Sequence, residues 1–307
     1  MKILITGGLG NLGLWLTLYL LEQRHDVAVI GRNERFVITH ENYRFLKGDI
    51  TDVYSLNSIV DCYYDVCIHA ASFNECQSPS YNKDALLINS FGTELLCQSL
   101  ARFGIGKLIY LSTFHVYGAT EGVVTEQTHI APTNDYALTH YFAEKYIEKN
   151  ARLLGFEYLI FRLTNSYGCP KDINTDKWYL VLNDLCLQAF NKNAVTLNGN
   201  GKALRDFIWM GDVTCIVEKF LYLKTTGILN LASSKTFAII DVATYVQSAY
   251  FDYFGKELVV NVNEHDDYKP IYLTVSNQCL VNILPYTFDN HFKTEAINIF
   301  KMLSEKR

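Results

Sequence analysis

The chain is predicted to be an α/β protein, a doubly wound parallel sheet followed by a smaller C-terminal substrate-binding lobe. Three features predict it. Strand-like and helix-like stretches alternate up to about residue 165, a glycine-rich turn joins the first strand to the first helix, and the rhythm turns irregular afterwards. Strands are expected at 2–6, 26–30, 43–46, 66–70, 107–112 and 157–163, and helices at 12–23, 52–60, 84–103 and 135–154. Residues 1–165 are assigned to the sheet domain and 166–307 mainly to the lobe, with some segments returning to the first domain. Within the lobe, loops are expected at 169–177 and 262–270, with short helices between them.

The first strand, Lys2-Ile3-Leu4-Ile5-Thr6, runs into Gly7-Gly8-Leu9-Gly10-Asn11-Leu12-Gly13, and an apolar helix follows from Leu14. This G-x-x-G-x-x-G turn suits a dinucleotide. Gly7 allows the tight turn, Gly10 lets the backbone approach a pyrophosphate, and Gly13 lets the helix pack close to the sheet. The helix N-terminus adds N–H donors and partial positive charge for the phosphates. Its place between strand and helix marks the sheet as Rossmann-type. After the second strand the chain reads Val29-Ile30-Gly31-Arg32-Asn33. The acidic residue that would bind a ribose 2′-hydroxyl is absent there, and Arg32 suits a 2′-phosphate. NADP is therefore expected, with NAD as the alternative; a solvated loop arginine is the competing account of Arg32.

Composition narrows the partners. The 307 residues are 49% hydrophobic and 19% charged, enough to bury a large core. A net charge of −5 and a pI near 5.9 argue against nucleic acid or an anionic membrane. An anionic ligand must then be held by local groups. Eight cysteines (62, 67, 76, 97, 169, 186, 215 and 279) lack C-x-x-C spacing, which predicts reduced thiols in a cytoplasmic protein and no metal site. The opening residues are read as a strand rather than a leader. The longest apolar run, Leu12 to Leu21, is too short to span a bilayer.

Further segments carry a resemblance. Gly48-Asp49-Ile50-Thr51-Asp52, His69-Ala70-Ala71-Ser72, Asn89-Ser90-Phe91-Gly92-Thr93 and Ser112-Thr113-Phe114-His115-Val116-Tyr117-Gly118 follow the glycine turn in that order. Arg162-Leu163-Thr164-Asn165-Ser166-Tyr167-Gly168 comes next, then Gly199-Asn200-Gly201 with Arg205-Asp206-Phe207-Ile208. Together these resemble, nearly end to end, the extended short-chain dehydrogenase/reductases of the nucleotide-sugar epimerase, dehydratase and reductase group. The resemblance implies a cofactor site of Gly7, Gly10, Asn11, Leu12, Gly13, Arg32, Asp49, Ile50, Ala70, Ala71, Ser72 and Asn89. Asp49 takes the adenine contact, and the His69–Ser72 loop lies beside the nicotinamide ribose. The resemblance further implies that Asn165 reaches the sugar nucleotide and that Arg205 contacts its diphosphate. It also implies a homodimer formed through a four-helix bundle of helices 84–103 and 135–154.

The implied chemistry is hydride transfer between nicotinamide and a sugar carbon, with a tyrosine exchanging the sugar-oxygen proton. Thr113 fits the hydroxyl that orients this oxygen; a strand-end threonine bonded to nearby backbone is the competing account. In the family a lysine one turn beyond the tyrosine lowers its pKa and holds the ribose. Here two pairs fit. Y-x-x-x-K finds Tyr141 and Lys145. The family pattern P-x-x-x-Y-[GA]-x-[ST]-K-x-x-x-E instead selects Tyr136, puts His140 at the lysine and Glu144 at the trailing acid. Five residues turn a helix by about 140°, so both pairs cannot face one cofactor. Tyr136 and His140 are preferred as catalytic and cofactor-contacting, leaving Tyr141 to packing and Lys145 to solvent. A histidine near its usual pKa predicts slower chemistry or a more acidic optimum.

Phe114 and His115 stand where 4,6-dehydratases carry Asp-Glu, which argues against that reaction. Lys269-Pro270-Ile271-Tyr272-Leu273-Thr274-Val275 resembles the R-P-x-x-x-x-L segment of reductases acting on 4-keto sugars, and makes Lys269 a substrate-binding candidate. The expected function is NADP-dependent reduction of a nucleotide-diphospho-4-keto sugar at C4. A 4-epimerase and a non-catalytic NADP-binding subunit or sensor remain the alternatives. Specificity is expected to reside in the loops near 72–82, 169–180 and 262–270.

Overall fold

The computed structural model describes residues 1–74 and 81–305. Cys76 and residues 75–80 of the 72–82 loop lie outside the described residues. The chain begins with β1 (Lys2–Thr6), α1 (Asn11–Glu22), β2 (Asp26–Gly31), β3 (Tyr43–Lys47), α2 (Val53–Ile59) and β4 (Tyr64–His69). It continues through α3 (Tyr81–Ala85), a π-helical turn (Leu86–Phe91), α4 (Gly92–Ala101), β5 (Ile105–Thr113), β6 (Gly122–Val124), α5 (Asp135–Leu154) and β7 (Glu157–Leu163). Then come β8 (Asn165–Tyr167), α6 (Val181–Lys192), β9 (Ala194–Thr196), β10 (Leu204–Trp209), α7 (Met210–Phe220) and β11 (Gly227–Leu231). The last elements are β12 (Thr236–Ala238), α8 (Ile239–Phe254), β13 (Val259–Asn261), β14 (Leu273–Val275), α9 (Gln278–Ile283) and α10 (Phe292–Glu305).

Two compact units result. The first comprises Met1–Gly118, Glu126–Leu163 and Thr214–Leu231. Its seven strands lie in the order β3-β2-β1-β4-β5-β7-β11, all parallel. The order reverses between β1 and β4, which defines the crevice of a doubly wound sheet. The central strands are apolar because both faces are covered: Ile3, Leu4, Ile5, Ile68, Leu108 and Ile109 are fully buried. The glycine turn fits closely. A Cβ on Gly13 would come 2.0 Å from the Gly7 carbonyl oxygen, and Gly7 combines φ +70° with Ala71 backbone 2.7 Å from where its Cβ would be.

All six expected strands form. The seventh, β11, comes from the segment whose rhythm looked irregular, a five-residue strand carrying Asn230 that becomes legible only by pairing with β7. The expected helix over 84–103 is divided by the π-helical turn at Leu86–Phe91. Within that turn the Asn89 amide reaches Phe73 and Thr139, and Thr93 Oγ1 donates to the Asn89 carbonyl at 2.6 Å.

The second unit comprises Ala119–Thr125, Thr164–Val213 and Ala232–Arg307. It has a three-stranded sheet in the order β12-β10-β8 and the pairs β13-β9 and β14-β6. Loops occupy 169–176 and 262–272, but the helices are not short: α6, α8 and α10 have 12, 16 and 14 residues. The aromatic and β-branched residues of α8 are weak helix formers, and packing overrides them. Val242, Ala243, Val246, Ala249 and Tyr250 are buried at helical spacing. Phe292 anchors this core, stacked on Tyr167 at 4.0 Å.

In the first unit α5 is tied to the sheet by a buried ion pair. Glu144, fully buried, accepts from Arg162 Nη2 at 2.7 Å and Nε at 3.1 Å, and from Ser112 Oγ at 2.5 Å. Arg162 also lies over the Tyr117 ring at 4.7 Å, and the Tyr117 hydroxyl donates to Asn230. Removing one partner strands the other charge. Arg162→Met is expected to cost about 3–5 kcal/mol in urea unfolding, and Arg162→Met/Glu144→Leu to recover most of it.

Candidate active site

The first unit gathers the glycine turn, the loop after β4, the end of β5 and the start of α5. Helix α1 begins behind Gly10, an extended N-cap with no side chain to cap the first-turn amides. Gly10 N–H donates to the Gly7 carbonyl at 2.9 Å. Ala70 N–H donates to the Thr6 carbonyl at 3.1 Å, which holds the loop after β4 against the glycine turn. Bare backbone at a helix N-terminus is what a pyrophosphate requires. Arg32 is exposed after β2, and Arg35, which the sequence reading passed over, donates to the Leu9 carbonyl at 3.3 Å. Only the folded turn reveals that contact. The Asp49 carboxylate accepts from Thr51 N and Oγ1, and Ile50 is buried behind it. These residues fit a dinucleotide.

The Asn89 amide accepts from Phe73 N–H at 2.6 Å and donates to Phe73 O and Thr139 Oγ1. At 1% exposure it positions the loop after β4 against α5. His69 lies beneath the same loop. Thr93 gives its proton to the Asn89 carbonyl, so Thr93 Oγ1 accepts from His69 Nε2, and His69 Nδ1 accepts from Thr6 Oγ1 at 2.6 Å. Burial lowers the His69 pKa to about 3.

Asn134 opens α5 by accepting from Ala137 N–H, and Asp135 suits the positive helix start. Tyr136, His140 and Glu144 then follow at four-residue spacing on one face. The Tyr136 and His140 rings meet edge-on at 4.5 Å. Lys145 is 46% exposed and pairs with Glu148 at 2.7 Å, over the Tyr141 ring. Thr113 is buried at the end of β5, where its Oγ1 accepts from His115 N–H at 3.2 Å and keeps its own proton to donate. Phe114 is buried, whereas exposed His115 stands 6.1 Å from the Tyr136 ring.

His140 is 2% exposed. Its Nδ1 lies 2.5 Å from the Tyr110 hydroxyl and its Nε2 lies 3.1 Å from Ser72 Oγ. Burial, then repulsion from His69 and His115, lowers its pKa to about 3. The expectation of a more acidic optimum assumed an ordinary imidazole; a neutral one provides no such group near pH 6. Tyr110, fully buried, has its pKa pushed up by burial and then by Glu144 and Tyr136.

In the second unit Asn165 donates to the Asp206 carbonyl at 2.9 Å, and exposed Arg205 donates to Leu204 O. Burial raises the Asp206 carboxyl pKa to about 6, against hydrogen bonds from Thr164 and Ser233. Lys269 is exposed in the 262–272 loop, which Asn200 pins by donating to Asp266 O and Tyr268 O. Among the described residues no cluster of His, Cys, Asp or Glu could hold a metal ion, and no helix is long and apolar enough to cross a membrane.

Residues 3–232 match the NAD dependent epimerase/dehydratase family, and the chain belongs to that family. It is 29% identical over 221 residues to a Methanocaldococcus jannaschii protein named as a UDP-glucose 4-epimerase, covering 69% of this chain and 70% of that one. It is 25% identical over 262 residues to the dTDP-D-glucose 4,6-dehydratase of Mus musculus, covering 79% and 71%. Among solved structures, the UDP-glucuronic acid 4-epimerase of Bacillus cereus in complex with NAD superposes with a TM-score of 0.81 at 20% identity, covering 100% of this chain and 99% of that one. The chain is thus an enzyme of the extended short-chain dehydrogenase/reductase kind, in a family of nucleotide-sugar epimerases, dehydratases and decarboxylases.

The His140 environment predicts a pH dependence. Unfolding restores an imidazole of ordinary pKa near 6.5, while the folded group stays neutral to about 3. The unfolded state therefore binds the extra proton, and stability is lost as pH falls through 6.5. The contribution is about 1.4 kcal/mol per pH unit below that point. His140→Gln should flatten the stability slope between pH 6 and 4.5 by about that amount in urea unfolding; an unchanged slope would mean an imidazole that titrates normally in the fold.

Proposed function

We propose that the protein is an NADP-dependent reductase of a nucleotide-diphospho-4-keto sugar, acting at C4 with Tyr136 as proton donor. The direction is supported by the neutral, buried imidazole of His140 one turn beyond Tyr136. An uncharged neighbour does not draw a phenol towards phenolate, and a phenol that keeps its proton at neutral pH suits reduction of a ketone. Oxidation of a sugar hydroxyl instead needs the phenolate. A bound nicotinamide dinucleotide supplies the hydride. Thr113 orients the sugar oxygen, Tyr136 gives it a proton, and Asn165, Arg205 and Lys269 hold the nucleotide sugar, Arg205 through the diphosphate.

Gly7, Gly10, Asn11, Leu12, Gly13, Asp49, Ile50, Ala70, Ala71 and Ser72 hold the dinucleotide. Preference for NADP is supported by Arg32 and by the tether of Arg35 to the glycine turn, which keeps a second guanidinium nearby. A 4-epimerase using NAD is the second reading, favoured by the 4-epimerases among its relatives and neighbours. Phe114 and His115, in place of an acid pair, disfavour elimination of water. Homodimerisation is supported by apolar residues left exposed on the helices expected to pair: Leu86, Leu87, Phe91, Leu138 and Phe142. The cytoplasmic setting expected from cysteine usage is retained.

The test is NADPH consumption with a panel of nucleotide-diphospho-4-keto-6-deoxy sugars. Consumption with one of them, lowered about 10²–10⁴-fold in Tyr136→Phe and unaffected in Tyr141→Phe, is expected. Arg205→Ala should raise KM by about tenfold or more through the lost diphosphate contact. Interconversion of C4 epimers without net NADPH loss would replace the reductase by the epimerase.

A further inference from the structure

His140 cannot do what a lysine does at its position. A lysine ammonium has three donors and a charge, and can hold a ribose while facing a tyrosine. The His140 ring has two nitrogens, and both are engaged, Nδ1 with Tyr110 and Nε2 with Ser72. The Tyr136 ring also packs against it, edge-on at 4.5 Å. Its function is therefore set by the direction of these hydrogen bonds.

That direction is determined by Tyr110. The phenol is 1% exposed, and its hydroxyl reaches His140 Nδ1. If Nδ1 carried the imidazole proton, the phenol proton would be buried without an acceptor, which is unfavourable. The phenol therefore donates to Nδ1, and the neutral ring carries its proton on Nε2. Nε2 then donates to Ser72 Oγ. Ser72 is exposed, and with its oxygen already accepting, its own O–H is left, among the described residues, to donate onward. The groups facing His140 are Tyr110 and His115 from β5 and the turn after it, His69 at the end of β4, Ser72 from the following loop, and Tyr136 from its own helix.

We propose that Tyr110 is a positioning residue that locks His140 in its Nε2–H form, so that Ser72 presents a directed O–H to a hydroxyl of the nicotinamide ribose. The hold exerted elsewhere in the family by one lysine is here divided among three residues, Tyr110 at the base, His140 between and Ser72 at the ligand. No charge is involved. This rests on the dinucleotide reading of the site, but not on the choice between reductase and epimerase.

Two measurements test it on the full chain. Long-range proton–nitrogen correlation of ¹⁵N-histidine protein should show His140 in the Nε2–H tautomer, unchanged from pH 5.5 to 8.5, and Tyr110→Phe should yield a tautomer mixture. An Nδ1–H tautomer in the wild type overturns the proposal. NADPH titration should show Tyr110→Phe and Ser72→Ala each weakening binding about five- to tenfold, the value of one hydrogen bond. Their combination should be no weaker than either alone, because both break one chain. His140→Lys should restore wild-type affinity to Tyr110→Phe. Multiplicative losses in the double variant, or no loss in Tyr110→Phe, overturn the proposal, as does a wild type that binds neither NADPH nor NADH. Tight NADPH binding without turnover of any sugar would instead count against the reductase alone.

Discussion

The ion pair between Glu144 and Arg162 is the constraint on which the candidate site depends. It is fully desolvated, so it is held only because both guanidinium bonds and the Ser112 hydroxyl saturate the carboxylate. Its two partners lie on α5 and β7, with Ser112 on β5. The rotation of α5 about its axis is therefore set by contacts with two strands at once. His140 and Tyr136 lie one and two turns before Glu144 on the same face, and so inherit that rotation. A helix turned by five residues would instead present Tyr141 and Lys145, and the charged anchor forbids it.

The second organising feature is the closeness of bare backbone at the start of the sheet. Gly7 and Gly13 leave no room for a side chain between the turn after β1, the helix that follows and the Ala70–Ala71 segment after β4. The same glycines that pack α1 onto the sheet leave bare backbone at its N-terminus, where the proposed dinucleotide phosphates would sit. The loop after β4 is held from beneath by a relay through Thr6, His69, Thr93 and Asn89, all buried. Its outer end, Ser72, is left exposed against His140.

Much of this was legible beforehand because its signals are local. Each strand of the first half is a short apolar run between turn residues, and the glycine spacing lies on consecutive positions. Glu144 at a fixed distance from Tyr136 pointed to the inward face of α5. The elements that escaped prediction are those whose structure is set by distant partners. Strand β11 has only five residues and needs β7 beside it. Helix α8 is rich in aromatics and is helical because its buried stripe packs in the second core. The π-helical turn interrupts a run whose helical signal is otherwise continuous.

By itself the sequence determined the strand–turn–helix unit at residues 2–22, the doubly wound class, the family motifs and the identity of the side chain at the lysine position. Only tertiary structure decided what that side chain is. A histidine in sequence has an ordinary pKa; enclosed by Tyr110, Tyr136, His69 and His115 it has lost the water that would solvate its charge, and both nitrogens have partners. Desolvation and hydrogen-bond direction are properties of the surroundings, and those surroundings come from three separate segments of the chain.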